Sequence, residues 1–162
     1  MPKMWNGGNV ITNKFSDDLW DISDIPFGTI VKDWFEEGVR VIILRSRFSL
    51  NVYLGVPSTH PLAGFDYDAL PINCHGGLTY SKEGNSDPLP KDYYWYGYDY
   101  SHSGDYSFIE IKKGQMFKNR GDKQWTIKEI VDDAWDAIYE MKKLMVLAEN
   151  IFNKAKENEN KI

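Results

Sequence analysis

Histidine and aspartate side chains that could carry out acid–base chemistry are concentrated in the middle of the chain. All three histidines lie within residues 60–105. His102 and Asp105 lie on a glycine-containing loop directly after an aromatic segment, and such loops often carry functional groups. An imidazole oriented by a carboxylate can act as a general base, so His75, His102 and Asp105 are the candidate catalytic residues. The alternative stays open that Asp105 only caps its own loop and that His75 only orders a glycine-rich turn.

Glycines, hydroxyls and aromatic rings near these residues suit a ligand that carries phosphate and a base. A glycine pair lets the backbone approach a ligand closely, hydroxyls can contact phosphate or ribose, and rings can stack on a base. The predicted ligand-binding residues, which provide these groups and one carboxylate, are Gly76, Gly77, Thr79, Tyr80, Ser81, Trp95, Tyr98 and Asp99. Because hydroxyls are common on strands and aromatic strands are often core, a structural role for this set is the alternative.

The spacing of the histidines excludes several well-known enzyme classes. The chain has no His-x-Ser/Thr or His-x-His pair, no His-Glu-x-x-His, no phosphate-binding loop and no Gly-x-Ser-x-Gly elbow. Cys74 and His75 are neighbours on a predicted strand, so their side chains diverge and cannot form a nucleophilic dyad. A mixed His/Asp metal site stays open, but no spacing supports it. The sequence therefore predicts no metal and no cofactor.

The charge balance disfavours nucleic acid as a direct partner. The chain carries 19 Lys and Arg against 24 Asp and Glu, a formal net charge of −5, which does not attract nucleic acid or an anionic membrane as a whole. One basic segment is an exception to this acidic balance. It could contact the phosphates of a ligand, although such a segment is more often a solvated loop. Its basic residues are Lys112, Lys113, Lys118, Arg120 and Lys123.

The composition is that of one globular domain over residues 1–162. Of the 162 residues, 42% are apolar and 27% are charged, which is enough apolar material for a single core. The single cysteine, Cys74, excludes an intramolecular disulfide and favours a reducing, cytoplasmic compartment. The longest aliphatic run, at residues 41–44, is far too short to cross a bilayer. A tail at residues 156–162 is expected to fray.

The apolar pattern predicts a short helix followed by several strands. Residues 29–37 are predicted to form the helix, which Gly38 would terminate. Both faces of a strand at 93–99 would carry rings, so either the protein covers both faces or one face is offered to a ligand or partner. The other predicted strands lie at 39–45 and 50–56, which form a hairpin, at 72–80 with a break at Gly76-Gly77, and at 107–111.

The last third of the chain predicts one long amphipathic helix. Thr126 and Glu129 have the spacing of a capping box. Apolar residues then recur at helical spacing, which predicts a helix over residues 126–155 with Met141 and Met145 as core filler. The fold class is therefore α+β: an antiparallel sheet with a short N-terminal helix and a long C-terminal amphipathic helix packed on it.

The central motifs resemble those of a family of small phage and prophage proteins. The resemblance rests on the segment His75-Gly76-Gly77-Leu78-Thr79-Tyr80-Ser81, on Trp-x-Gly-x-Asp at residues 95–99 and on His-x-Gly-Asp at residues 102–105. Residues 100–101 are Tyr-Ser where many relatives have Cys-Ala, which excludes a thiol role at that position. The resemblance implies a phage-encoded accessory protein, often a counter-defence protein, but it assigns no chemistry.

Two classes of function follow. The first is a phage-type counter-defence protein of the host cytoplasm that binds a nucleotide-like small molecule and, if the site is catalytic, hydrolyses it. The alternative is an inhibitor that binds a host defence protein, similar to an anti-CRISPR protein, with an acidic surface that mimics nucleic acid. A net charge of −5 is modest for such mimicry. A virion component is a third class without support, and the two-sided aromatic strand leaves a homodimer open.

Overall fold

The fold is a five-stranded antiparallel sheet with one long helix on one face. The computed structural model describes residues 15–112, 115–117 and 122–161. The elements are β1 (Ile30–Glu36), β2 (Val39–Arg45), β3 (Leu50–Pro57), a 3-10 turn (Tyr67–Ala69), β4 (Tyr80–Glu83), β5 (Tyr93–Asp99), β6 (Ile109–Lys112), β7 (Gln115–Phe117) and α1 (Ile127–Asn160). The large sheet has the order β1-β2-β3-β5-β4, and β6 and β7 form a separate two-stranded antiparallel sheet.

The predicted α+β class is confirmed, but the short N-terminal helix is wrong. Residues 30–36 form strand β1, which pairs with β2 through a two-residue turn at Glu37 and Gly38. Both turn residues have positive φ, 53° and 80°, as a type I′ hairpin turn requires. Gly38 therefore closes a hairpin and does not terminate a helix. Pairing with β2 overrides the weak helical spacing, since it satisfies the backbone of β1 and buries Trp34 in the core.

The strands predicted at 39–45, 50–56 and 93–99 are confirmed as β2, β3 and β5, and β2 and β3 pair as a hairpin. The strand predicted at 72–80 is wrong for most of its length, because only Tyr80 belongs to β4. Gly76 and Gly77 have φ of +70° and +78°, and Gly77 N–H donates to the Cys74 carbonyl at 2.9 Å. Residues 74–77 therefore form a turn, which brings His75 close to the loop that follows β5.

Helix α1 begins at the predicted capping box. The Glu129 N–H donates to Thr126 Oγ1 at 3.1 Å, and the Thr126 N–H donates to Glu129 Oε1 at 3.1 Å. The helix continues to Asn160, through part of the tail that was expected to fray. Met141 and Met145 are buried, as predicted. In the parts of the chain that the structure describes, no helix is long and apolar enough to cross a membrane.

Both faces of β5 are covered by protein. On one face Tyr96 and Tyr98 join the main core, which β1, β2, β3 and α1 also form. On the other face Trp95 packs in a smaller cluster with Ile42, Leu44, Tyr53 and Leu89. Alternate residues of a strand face opposite sides, so this arrangement accounts for the unbroken run of rings.

Candidate functional site

Three loop segments converge beside the end of β5. The first is the turn around His75, the second is the loop of residues 99–105, and the third leads through residues 123–125 into α1. Backbone contacts join the second and third segments: Lys123 N–H donates to the Gly104 carbonyl at 2.8 Å, and Asp105 and Lys123 form an isolated parallel bridge. The segments are far apart in the sequence, and the fold makes them neighbours.

Asp105 lies at the centre of this cluster. Its side chain is only 4% exposed. Oδ2 lies 2.7 Å from His75 Nε2 and accepts the His102 backbone N–H at 3.0 Å, while Oδ1 accepts the Trp125 indole N–H at 2.9 Å. Asp105 therefore caps its own loop, and the imidazole that it pairs with is that of His75, whereas the Nδ1 of His102 on the same loop lies 3.7 Å away. A buried carboxylate needs such partners to offset the loss of hydration.

His75 is held in a fixed ring plane. Its imidazole stacks on Tyr100 with centroids 4.4 Å apart and planes 9° from parallel, and its ring meets Trp125 at 5.0 Å. Tyr100 in turn donates to Asp133 Oδ2 on α1 at 2.7 Å. Burial raises the pKa of Tyr100 well above its usual range, so its phenol keeps the proton that makes this bond. The stack thus anchors His75 to the long helix.

The His102 ring meets the His75 ring edge-on, with centroids 5.6 Å apart, and the His102 side chain is 34% exposed. Its Nδ1 lies 3.4 Å from Asp99 Oδ1 and 3.7 Å from Asp105 Oδ2, and this buried nitrogen makes no hydrogen bond among the described residues. A Cβ atom on Gly76 would lie 2.2 Å from the His102 ring. Gly76 is therefore needed for the close approach of an imidazole.

Two residues of the site had little signal in the sequence. Trp125 was not predicted, and Lys123 was predicted only as part of a basic segment whose other side chains lie outside the described part of the chain. Lys123 Nζ lies 4.1 Å from the Trp125 ring and 2.9 Å from Glu129 Oε2. A tryptophan directly before a helix N-cap was the available signal, because the N-cap fixes where the preceding side chain lies.

Several predicted ligand-binding residues lie away from the histidines' cluster. The rings of Trp95 and Tyr98 are buried in the two cores and offer no face for stacking. Tyr80 meets Tyr53 edge-on at 5.2 Å, on the face of the sheet opposite α1. The Ser81 hydroxyl accepts the Tyr67 backbone N–H at 2.9 Å.

The remaining predicted ligand-binding residues are Thr79, Gly77 and Asp99. Thr79 is exposed and its backbone N–H donates to the Gly97 carbonyl at 2.9 Å. Gly77 has open space where a Cβ would stand. Asp99 lies at the rim, where Oδ1 accepts both the backbone N–H and the hydroxyl of Ser101. Of the predicted ligand-binding set, the structure thus brings Gly76 and Asp99 into contact with the histidines' cluster.

Two further residues that could do chemistry, Cys74 and the third histidine, His60, have roles of their own. Burial raises the pKa of the Cys74 thiol to about 12, so very little of it is thiolate at neutral pH. His60 Nε2 lies 2.8 Å from Glu149 Oε1, and its Nδ1 accepts the Leu62 N–H at 3.0 Å. His60 therefore joins a loop to α1.

Comparison with known proteins finds no relative. No family model matches the chain, and neither the curated proteins nor the solved structures include a match. The functional argument therefore depends on the geometry of this site.

Proposed function

We propose that the protein binds a nucleotide-like ligand by its phosphate at the cluster of His75, His102 and Asp105. The observation that carries the proposal is that two partly exposed imidazoles lie side by side on one buried carboxylate. His75 and His102 are 23% and 34% exposed, so a ligand can reach both rings. Imidazole N–H groups and a nearby ammonium group are suitable donors to phosphate oxygens.

Lys123 and Trp125 complete the proposed binding surface. The side chain of Lys123 is half exposed and covers the Trp125 ring, which is itself partly exposed at the rim. When Lys123 turns toward a phosphate, it uncovers an aromatic face on which a base can stack. Trp125 thereby takes the part that the sequence gave to Trp95 and Tyr98, whose rings are buried.

If the site also cleaves its ligand, an imidazole of His102 or His75 is the general base. It removes a proton from water, the water oxygen attacks phosphorus, and the bond from phosphorus to the leaving oxygen breaks. Asp105 acts as a positioning residue because it fixes the His75 ring through Nε2. Such a protein would serve a phage in the host cytoplasm as a counter-defence factor that sequesters or destroys a nucleotide signal.

A retention experiment tests this function. The pure protein is mixed with linear and cyclic nucleotides, unbound material is removed by filtration, and the bound fraction is released by heat and analysed by chromatography. An intact ligand identifies a sequestering protein, and an altered ligand identifies an enzyme. We expect His102→Ala to abolish retention, with His60→Ala as the matched control because His60 contacts α1 instead.

Two outcomes would contradict the proposal. One is that every nucleotide passes into the filtrate unchanged. The other is that His102→Ala retains the ligand as well as His60→Ala does. Either result would move attention to the second function class, an inhibitor that binds a host defence protein.

A further inference from the structure

We propose that His75, His102 and Asp105 bind one divalent transition-metal ion of the zinc type. One ligand atom from each residue lies within 4.8 Å of those of the other two. The two nitrogens that face Asp105 Oδ2 are His75 Nε2 at 2.7 Å and His102 Nδ1 at 3.7 Å. The histidine spacing gave no sign of this site, because the ligands come from two loops on either side of β4 and β5.

The distances suit a shared ion. Ligand atoms that each lie about 2.0–2.2 Å from one ion are separated from one another by roughly 3–3.5 Å. The two separations from Asp105 Oδ2, 2.7 Å and 3.7 Å, lie on either side of this range. Small side-chain shifts that lengthen the first separation and shorten the second would therefore bring both nitrogens to the distances that a shared ion requires.

The donor set selects the type of metal. Two imidazoles and one carboxylate suit zinc, iron, cobalt, nickel or manganese, whereas calcium and magnesium prefer oxygen ligands alone. Three protein ligands leave at least one position for water or a ligand oxygen, which is the arrangement of a reactive site and not of a purely structural one.

The surroundings of the three ligands hold them in place. The Trp125 indole N–H and the His102 backbone N–H orient the carboxylate, and Tyr100 fixes the ring plane of His75. The close approach of Gly76 limits rotation of the His102 ring. Such outer contacts are typical of metal sites, where they keep the ligands ready before the ion binds. The buried His102 Nδ1 has no hydrogen bond among the described residues, so no hydrogen bond of that nitrogen has to break when it binds an ion.

A metal titration of the full chain tests the inference. Protein freed of metal with a chelator is titrated with Zn²⁺ in competition with a chromophoric chelator. We expect one ion per chain and an affinity that falls more than about 100-fold in His75→Ala, His102→Ala and Asp105→Ala, and about 10–100-fold in Trp125→Phe. His60→Ala is the matched control and should bind as the wild type does. No stoichiometric binding, or equal binding by all variants, would overturn the inference.

A second measurement needs no variant at the ligands. Co²⁺ strongly shifts the proton magnetic resonance signals of the histidine rings that coordinate it. We expect two strongly shifted rings, and both should persist in His60→Ala. Loss of a shifted ring in His60→Ala, or fewer than two shifted rings in the wild type, would contradict the site even if substitutions at the ligands unfold the protein.

The metal site and the proposed function can fail separately. The inference does not rest on nucleotide binding, because the titrations contain no nucleotide. Metal binding without nucleotide retention would contradict only the proposed function. Nucleotide retention by a protein that binds no metal would contradict only the metal site.

Discussion

At the scale of single residues, the two adjacent glycines of the site have different roles. Gly76 and Gly77 both have positive φ, so a side chain at either position costs about 1–2 kcal/mol of backbone strain. Only Gly76 also lies against an imidazole, since its added Cβ would come within 2.2 Å of the His102 ring, whereas nothing lies within 4 Å at Gly77.

The substitution Gly76→Ala should therefore be more harmful than Gly77→Ala. We expect Gly77→Ala to lower the free energy of unfolding by about 1–2 kcal/mol and Gly76→Ala to lower it further. Gly76→Ala should also shift the ring signals of His102, because that ring must move. Urea unfolding and histidine magnetic resonance measure the two effects, and equal behaviour of both variants would show that the contact is unimportant.

At the scale of elements, the start of α1 stabilises one side of the site. The capping box at Thr126 and Glu129 satisfies backbone N–H groups that the first helical turn leaves unpaired. The residue before the N-cap is Trp125, whose indole holds Asp105. The helix start thus determines where one partner of the buried carboxylate lies.

Removal of the cap should destabilise the protein without unfolding it. Thr126→Ala deletes the hydroxyl that accepts the Glu129 N–H, and an N-cap of this kind contributes about 0.5–2 kcal/mol. Thr126→Ser keeps the hydroxyl and is the matched control. Urea unfolding of the two variants checks the prediction, which is wrong if Thr126→Ser loses as much stability as Thr126→Ala.

Glu129 should give the helix start a dependence on acid pH. A hydrogen bond from Lys123 has the largest effect in lowering the pKa of Glu129 below its ordinary value of 4.5. A hydrogen bond from the Thr126 backbone N–H also lowers it. A carboxyl with a lowered folded pKa contributes stability above its unfolded pKa and loses it as the pH falls through the folded pKa. Glu129→Gln should therefore reduce the loss of stability below about pH 4.5. The difference should shrink in high salt because the pair is largely exposed, and identical pH profiles would contradict it.

At the scale of the whole molecule, α1 has a buried first part and an exposed last part. Its buried residues end at Met145, whereas Leu147, Ile151 and Phe152 are 55%, 61% and 46% exposed. The first part of the helix therefore belongs to the core, and the second part leaves its large apolar side chains exposed.

Truncation of apolar side chains should separate these two parts of α1. Met141→Ala removes a fully buried side chain and should cost about 2–5 kcal/mol. Ile151→Ala, on the same helix, should change the free energy of unfolding by less than about 0.5 kcal/mol. Thermal or urea unfolding measures both. A cost for Ile151→Ala close to that of Met141→Ala would show that the second part is covered in solution.

Local signals in the sequence were sufficient for much of the fold. The capping box, the apolar period of α1 and the β-branched run of β2 each depend on residues close together in the chain, and all three predictions are confirmed. The prediction at residues 29–37 was wrong because its helical spacing was weak and pairing with β2 decided the outcome. Gly38 correctly indicated that an element ends there, but it closes a β-hairpin and does not terminate a helix.

The sequence by itself determined the residue types of the site and the length of the apolar stripe on α1. Only the tertiary structure decided which of those residues meet, since His75, His102 and Trp125 come from separate loops that long-range pairing brings together. It also decided that Trp95 and Tyr98 are core residues. The sequence shows that successive side chains of a strand face opposite sides, but it does not show what covers each face. The helical stripe continues unchanged to Ala155, whereas burial stops at Met145, because the spacing of apolar residues does not show which of them the rest of the fold covers.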